Sequence, residues 1–434
     1  MTSLWRNLQY GSWLVSDTSK GLASTLFSFA VPLIALFVTD DPAQAGIIGG
    51  VGMAVSVSLR MFGGVLADRH RRITLMVAGA AIGVVLSAAF TALAIGNALT
   101  FATLLVLEVL LAIRSGLFDA AGEAALKDLV SAGTMGRAQA ANQARDAALQ
   151  LAGGPIGGAL LVVGGWLVGA VMTVCHLVSA VSAALIPRLR GAERADAEAA
   201  SGSAASALPV VERNALREIR DGFAWLFSRR DLRGALIIST VINLGINTVM
   251  TTIVYSLQQD GHSPAVIGWI SAGLGIAMLV GALLATTLVS RIGAGVLMIV
   301  GVAALTLGSV ATIFTREPWG IVLVMAVPGL LLAPLNAGLG GYSMVAIPSR
   351  MMGRATSASA VLGMGAMPLA PLIAGFGLSL FGRTGTLLLG VALCSVATLI
   401  ALTNRPLRSL PAEAGWAEHA KRFEARGDEL IDAR

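Results

Sequence analysis

Gly63-Gly64-Val65-Leu66-Ala67-Asp68-Arg69-His70-Arg71-Arg72 joins two long apolar runs, one starting at Ala45 and the other spanning Ile73 to Ile95. Two glycines close the first run, and residues that small let helix backbones approach one another in lipid. Five polar residues follow, from Asp68 to Arg72, four of them basic or able to become so. A charged knot between two lipid-soluble segments belongs at a membrane surface. Its three arginines put it on the cytoplasmic side by the positive-inside rule.

Composition points the same way. Of the 434 residues 56% are hydrophobic and 12% charged, against about 25% charged in an ordinary soluble domain. Most of the chain is expected in lipid, as helices of about 20 apolar residues. The first half holds six such spans: Leu22–Val38, Ala45–Leu66, Ile73–Ile95, Phe101–Leu126, Ala140–Val163 and Trp166–Ile186. The second holds six more: Gly234–Leu257, Ala265–Leu288, Gly295–Phe314, Gly320–Val345, Ala355–Leu380 and Thr386–Thr403. This is an all-α membrane protein with twelve transmembrane helices, so both termini share a side. Loops on one side hold Arg69, Arg71, Arg72, Lys127, Arg137, Arg291 and Arg350, and loops on the other only Arg316 and Arg383. Both termini are therefore expected in the cytoplasm.

The expected division is a first bundle over 1–190, a linker over 191–230, a second bundle over 231–405 and a tail over 406–434. Gly191 to Pro209 is rich in Ala, Ser and Glu and reads as a flexible linker. Leu216, Ile219, Phe223 and Leu226 then recur at helical spacing among Arg213, Arg217 and Arg220. That helix lies either on the membrane face or against neighbouring loops. In the tail, Trp416, Phe423 and Leu430 sit seven apart, which fits a short docking helix or a mobile end. Met1 to Lys20 carries no cleavage pattern, so no removable leader is expected.

Several function classes drop out. Cys175 and Cys394 lie in separate apolar spans and the four histidines are scattered, so neither a disulfide, a metal nor a cofactor is expected. The net charge of +6 resides in short loops and tails without interleaved aromatics. That excludes a nucleic-acid partner and leaves a topological role with some attraction to anionic lipid. An intramembrane enzyme would need a nucleophile or metal constellation, and none is legible.

The two halves repeat each other. Pro42-Ala43-x-x-Gly46 recurs as Pro264-Ala265-x-x-Gly268, an offset of 222 residues that also pairs Leu75-Met76 with Leu297-Met298. Met135-Gly136-Arg137-Ala138 recurs as Met352-Gly353-Arg354-Ala355, an offset of 217. Six helices repeated in one orientation imply two six-helix bundles about an axis along the membrane normal.

With that repeat in place, the run Gly64-x-x-x-Asp68-Arg69-x-x-Arg72 resembles the loop between helices 2 and 3 of the major facilitator superfamily, with Arg71 where a glycine is usual. Phe118-Asp119-Ala120 and Gly154-Pro155-x-x-Gly158 resemble the branch containing macrolide-efflux proteins and the enterobactin exporter. Gln150 and Gly157 depart from the full exporter pattern in helix 5. The resemblance implies a multi-pass protein of a bacterial-type inner membrane, working by alternating access. It also implies that Asp68 meets the start of helix 11, near Arg354, when the cytoplasmic side closes, so Gly64, Asp68, Arg69, Arg72 and Arg354 form a gating set. The alternative is a solvated loop that only sets topology.

Ionisable groups within the spans are the candidates for chemistry. Helix 4 carries Glu108, Arg114, Asp119 and Glu123. Counting from Thr100, Glu108 lies roughly 12 Å and Arg114 roughly 21 Å into the span. Charges at such depth are costly and normally face a partner or an aqueous cavity. Asp119 and Glu123, four apart, are expected on one face. Asp17 with Lys20 opens helix 1, Arg60 lies in helix 2, and Arg145 with Asp146 lies in helix 5. The proton-coupling candidates are Glu108 first, then Asp119 and Asp17, with Arg114, Glu123 and Asp146 beside them; a structural ion pair is the alternative for each. The second half offers Asn243, Asn247 and Asn336 with Met364 and Met367, a set suited to an apolar substrate. Gly154, Pro155, Gly158 and Pro371 are expected to allow bending.

These residues describe a monomeric, proton-coupled exporter of an amphipathic small molecule (a drug, a macrolide-like compound or a siderophore), with membrane lipid as its solvent. Uptake of a small organic solute and a non-transporting sensor are the alternatives.

Overall fold

A computed structural model describes residues 7–130, 134–198, 215–348 and 351–423. Arg213, Arg350, Leu430 and residues 199–209 of the expected linker lie outside them. The first half forms α1 (Leu8–Thr39), α2 (Pro42–Arg69), α3 (Arg72–Ile95), α4 (Phe101–Phe118), α5 (Ala120–Leu129), α6 (Met135–Val163) and α7 (Gly165–Glu198). Then come α8 (Ala215–Ser228), α9 (Arg230–Gln259), α10 (Pro264–Arg291), α11 (Ala294–Phe314) and α12 (Pro318–Ala346). The chain ends with α13 (Met352–Gly365), α14 (Leu369–Thr403) and α15 (Arg405–Arg408). No strand occurs among the described residues. The architecture is the expected all-α one of two six-helix bundles.

The helix ends are set by local chemistry. Asn7 begins α1 by accepting from the Tyr10 amide at 3.0 Å. Thr100 and Thr103 form a reciprocal capping box at the start of α4. Each satisfies an amide that the first helical turn leaves without a partner. At the other end of α11, the Arg383 guanidinium donates to the carbonyls of Thr312 at 3.0 Å and Thr315 at 2.7 Å. Cations suit helix C-termini because the unpaired carbonyls there carry partial negative charge.

Three expected spans differ in detail. Helix 4 breaks at Asp119 into α4 and α5, and helix 11 breaks before Leu369 into α13 and α14. Met364, Met367 and Pro368 stand at that second break, upstream of Pro371, and the Met367 amide donates to the Met364 carbonyl at 3.0 Å. Pro155, in contrast, lies inside an unbroken α6. The apolar stretch Arg354–Thr403 has 50 residues, about 75 Å of helix, far more than one crossing of a ~30 Å hydrocarbon core. It reverses at Gly382, whose φ of 65° suits a residue without a Cβ. Finally, α7 runs on to Glu198, into the expected linker. Its Ala-, Arg- and Glu-rich continuation has high helix propensity.

The structure divides into two compact units: Met1–Asp40, Val51–Val210 and His262–Trp269 form unit 1, and Asp41–Gly50, Val211–Gly261 and Ile270–Arg434 form unit 2. The core of unit 1 gathers Tyr10, Trp13, Leu75, Met76, Leu126 and Ile186. That of unit 2 gathers Trp225, Ile238, Met298, Tyr342 and Trp416 with small residues of α13 and α14. In α8, Trp225 and Leu226 are buried, and Gly222 lies directly on the Arg354 carbonyl. This end of the amphipathic helix packs on protein.

The repeated Pro-Ala-x-x-Gly motif has a structural counterpart in each unit. Within unit 2, Gly46 of α2 lies against the Pro371 carbonyl, and Gly375 against that of Pro42. Within unit 1, Gly268 of α10 lies against the Gly154 carbonyl, and Gly158 against that of Pro264. The partners obey the repeat too, since Gly154 to Pro371 and Gly158 to Gly375 are both offsets of 217 residues. Only a hydrogen in place of a side chain permits so close a crossing. Gly154 and Gly158 thus stand at backbone contacts.

Candidate functional site

A cluster of charge lies inside unit 1, built by α1, α4, α5 and α6. Asp17 of α1 is 6% exposed. One turn on, Lys20 Nζ lies 2.8 Å from Asp17 Oδ1, and from α6 the Arg145 Nη1 lies 2.8 Å from Asp17 Oδ2. Arg145 also donates to Asp146 Oδ1, from Nη2 at 2.8 Å and Nε at 3.0 Å. Below it, the Trp13 ring lies 5.7 Å from the guanidinium carbon, a cation–π arrangement. Trp13 Nε1 in turn donates to the Gly122 carbonyl at 2.9 Å.

The break in helix 4 supplies the other side. Asp119 Oδ1 accepts from Arg114 Nη2 at 2.9 Å, and the Asp119 carbonyl accepts from Lys20 Nζ at 3.3 Å. Arg114, 4% exposed, places its Nε on the Gly79 carbonyl of α3 at 3.1 Å. Gly122 follows at the start of α5, where any Cβ would crowd Asp17 Oδ1. Three carboxylates and three cations thus balance in one place. Buried charge is tolerated only when it is paired and hydrogen-bonded in this way.

Of the proton-coupling candidates, the structure brings Asp17, Asp119, Arg114 and Asp146 into this cluster, with Lys20 and Arg145. It leaves out Glu123, which is exposed. Asp119 keeps helical backbone angles where α4 meets α5, but its side chain turns to Arg114 and Lys20 while Glu123, one turn on, is exposed. Glu123 instead occupies the first turn of α5, where a carboxylate suits the helix dipole.

Glu108 stands elsewhere on α4. Its carboxylate packs directly against Gly52 of α2, and any side chain at Gly52 would overlap it. Oε2 is buried without a hydrogen-bond partner among the described residues. No described cation is paired with it.

The charged loop between α2 and α3 is pinned within unit 1. Arg72 Nη1 donates to the Ala124 carbonyl at 2.9 Å and to Asp128 Oδ1 at 3.0 Å. Gly63 lies on the Gly116 carbonyl, so the first loop glycine makes the expected close approach, while Gly64 faces open space. Asp68 and Arg69 are exposed. In unit 2, Asn247 Nδ2 donates to the Asn243 carbonyl at 2.8 Å, one turn away, while Asn336 is exposed.

Sequence reading missed Trp13, Gly52 and Gly122, apolar or side-chain-free positions that act only through what they touch. It also missed a buried polar group in unit 2 made by Arg229, Asp231, Tyr342 and His419. A signal existed, since Asp231 is the one acid among Arg229, Arg230 and Arg233 at the edge of an apolar span.

Comparison with known proteins agrees with this architecture. Among solved structures, a bacterial homologue of the iron transporter ferroportin in an inward-facing state superposes with a TM-score of 0.68 at 16% identity, covering 94% of this chain and 100% of the other. A bacterial homologue of the human lysosomal transporter Spinster gives 0.61 at 14% identity, over 97% and 98%. A D-xylose–proton symporter gives 0.59 at 16% identity, over 93% and 98%. No curated protein matches the chain by sequence. The sequence profile of the Major Facilitator Superfamily matches residues 18–232 and 235–430. With nearly the whole chain matched, its two repeated halves each included, the protein belongs to the Major Facilitator Superfamily.

Proposed function

We propose that this transporter is a proton-driven exporter of an amphipathic small molecule, in the manner of the macrolide-efflux and enterobactin-exporter branch. The observation that carries the reading is the placement of Glu108: a carboxylate inside an apolar helix, packed on Gly52, with Oε2 unpartnered among the described residues. Such a group gains and loses a proton without dismantling an ion pair. Asp17 and Asp119, each bound to cations at 2.8–2.9 Å, hold helices together and are set aside as proton carriers. The scarcity of charge in the second-half spans supports an apolar substrate, met by Asn243, Asn336, Met364 and Met367. Similar folds include both an iron-transporter homologue and a sugar–proton symporter, so direction must come from transport itself.

The same proposal places both termini in the cytoplasm of a bacterial-type inner membrane and makes Asp68 and Arg354 a gate. Asp68→Asn with undiminished transport removes that gate. Cells producing the protein are expected to accumulate less of an apolar fluorescent dye than control cells, and collapse of the proton gradient abolishes the difference. Glu108→Gln abolishes it as well, with the protein still inserted. Greater accumulation in producing cells means uptake, and gradient-independent export by Glu108→Gln removes the proton role.

A further inference from the structure

The tail of unit 2 is seated on the rest of that unit by a buried polar chain that the transport reading does not use. Tyr342 Oη donates to Asp231 Oδ2 at 2.6 Å and lies 3.0 Å from His419 Nδ1. Asp231 also accepts from Arg229 Nε at 3.0 Å and Nη2 at 2.8 Å, and both residues are almost wholly buried. Arg229 stacks on Trp225 of α8 and reaches the Ala420 carbonyl. His419, 6% exposed, lies in a helical segment over 416–423. On the other side of its ring, Nε2 lies 3.1 Å from Ser409 Oγ.

Nearby backbone is engaged as well. The Ala294 amide donates to the Pro411 carbonyl at 3.0 Å and the Gly295 amide to that of Leu410 at 3.3 Å. The tail therefore caps the start of α11, a job normally done by a side chain. Trp416 is buried against Gly341 of α12, which has no side chain to displace it.

Proton accounting sets the tautomer of the neutral His419 ring. Tyr342 has one hydroxyl hydrogen and gives it to Asp231, so His419 Nδ1 must carry the hydrogen that it donates to Tyr342 Oη. Nε2 of the neutral ring then accepts from Ser409. The Ser409 hydroxyl also donates to the Pro406 carbonyl, 2.8 Å away, so Ser409 accommodates either state of the ring. What disfavours a second proton, at Nε2, is that it would create a cation in a nearly closed site. Among the described residues, the charged groups that face the ring are Arg229 and Asp231 from the start of α9, and Arg422 from the tail, itself paired with Glu418 at 2.7 Å. Asp231 favours the extra proton, but its charge is already shared by Arg229 and Tyr342.

We propose that the tail is an acid-released latch, with neutral His419 as its catch, holding the α8–α9 elbow and the end of α12 together. Burial first, then Arg422 and Arg229, depress the His419 pKa below its ordinary value, against the pull of Asp231. The seated tail thus binds fewer protons than the released one. Seating is complete above about pH 6.5, the ordinary histidine value, and weakens as pH falls below it, by up to about tenfold per unit.

The test is hydrogen exchange in the full-length protein in lipid nanodiscs, at about pH 7.5 and about pH 5.5 on either side of the histidine range, corrected for intrinsic exchange. Amides of the tail and of the first turn of α11 are expected to lose protection at the lower pH. His419→Gln keeps a neutral side chain and is expected to remove that pH dependence. Tyr342→Phe leaves His419 able to titrate but loosens the tail at both values. Protection that is the same at both pH values in the unaltered protein overturns the latch. So does a pH response that survives His419→Gln.

Discussion

The carboxylate of Glu108 rests on the bare α-carbon of Gly52, so one helix leaves out a side chain at the point where its neighbour inserts an acid. A methyl group at Gly52 has no room unless Glu108 moves. Gly52→Ala is therefore expected to impair proton-driven transport nearly as much as Glu108→Gln, even though it touches no charge. The restoring variant is Gly52→Ala with Glu108→Asp, whose shorter arm withdraws from the added methyl. Dye export against an imposed pH gradient in proteoliposomes measures both, and a fully active Gly52→Ala protein contradicts the packing.

Two kinds of ion pair in unit 1 make opposite predictions about stability. Asp17 lies between Lys20 and Arg145, each less than a fifth exposed. Removing one partner of a buried pair leaves an uncompensated charge, at a cost of up to about 3–5 kcal/mol. Asp17→Asn is expected to lower the thermal unfolding midpoint of the solubilised protein markedly. Arg72 and Asp128, 27% and 48% exposed, form a pair of the screened kind, worth about 1 kcal/mol or less. Asp128→Asn is expected to leave the midpoint almost unchanged. Equal effects of the two substitutions would show that the first cluster is hydrated.

The pseudo-symmetric crossings predict matched phenotypes at positions 222 residues apart. Gly46→Val and Gly268→Val each drive a side chain into a facing carbonyl, of Pro371 and Gly154 respectively. Both are expected to impair transport to a similar degree. Gly64→Ala, where an added methyl meets nothing within 4 Å, is expected to be tolerated. The relief of glycine entropy there favours the helix by roughly 0.5–1 kcal/mol. Parallel transport assays of the three variants decide it, and a harmless Gly268→Val beside a damaging Gly46→Val breaks the symmetry.

Whatever depends on the solvent of each segment was legible in the sequence itself. Apolar runs of helical length, loop arginines gathered on one side and the recurrence of Pro-Ala-x-x-Gly are all local patterns. They specify an all-α membrane protein of repeated halves, because lipid requires each spanning segment to satisfy its own backbone. Glu108 could be singled out the same way, from depth alone.

Tertiary structure alone decided which charges meet. Asp17, Lys20, Arg114, Asp119 and Arg145 come from three separate stretches of chain, and no spacing along any one of them announces that they meet. The same holds for Gly52 and Gly122, whose importance lies in the space they leave, and for His419, isolated in the sequence yet enclosed in the fold. Periodicity reports the environment of a residue along its own helix. Only the packing of helices distant in the chain fixes its partners.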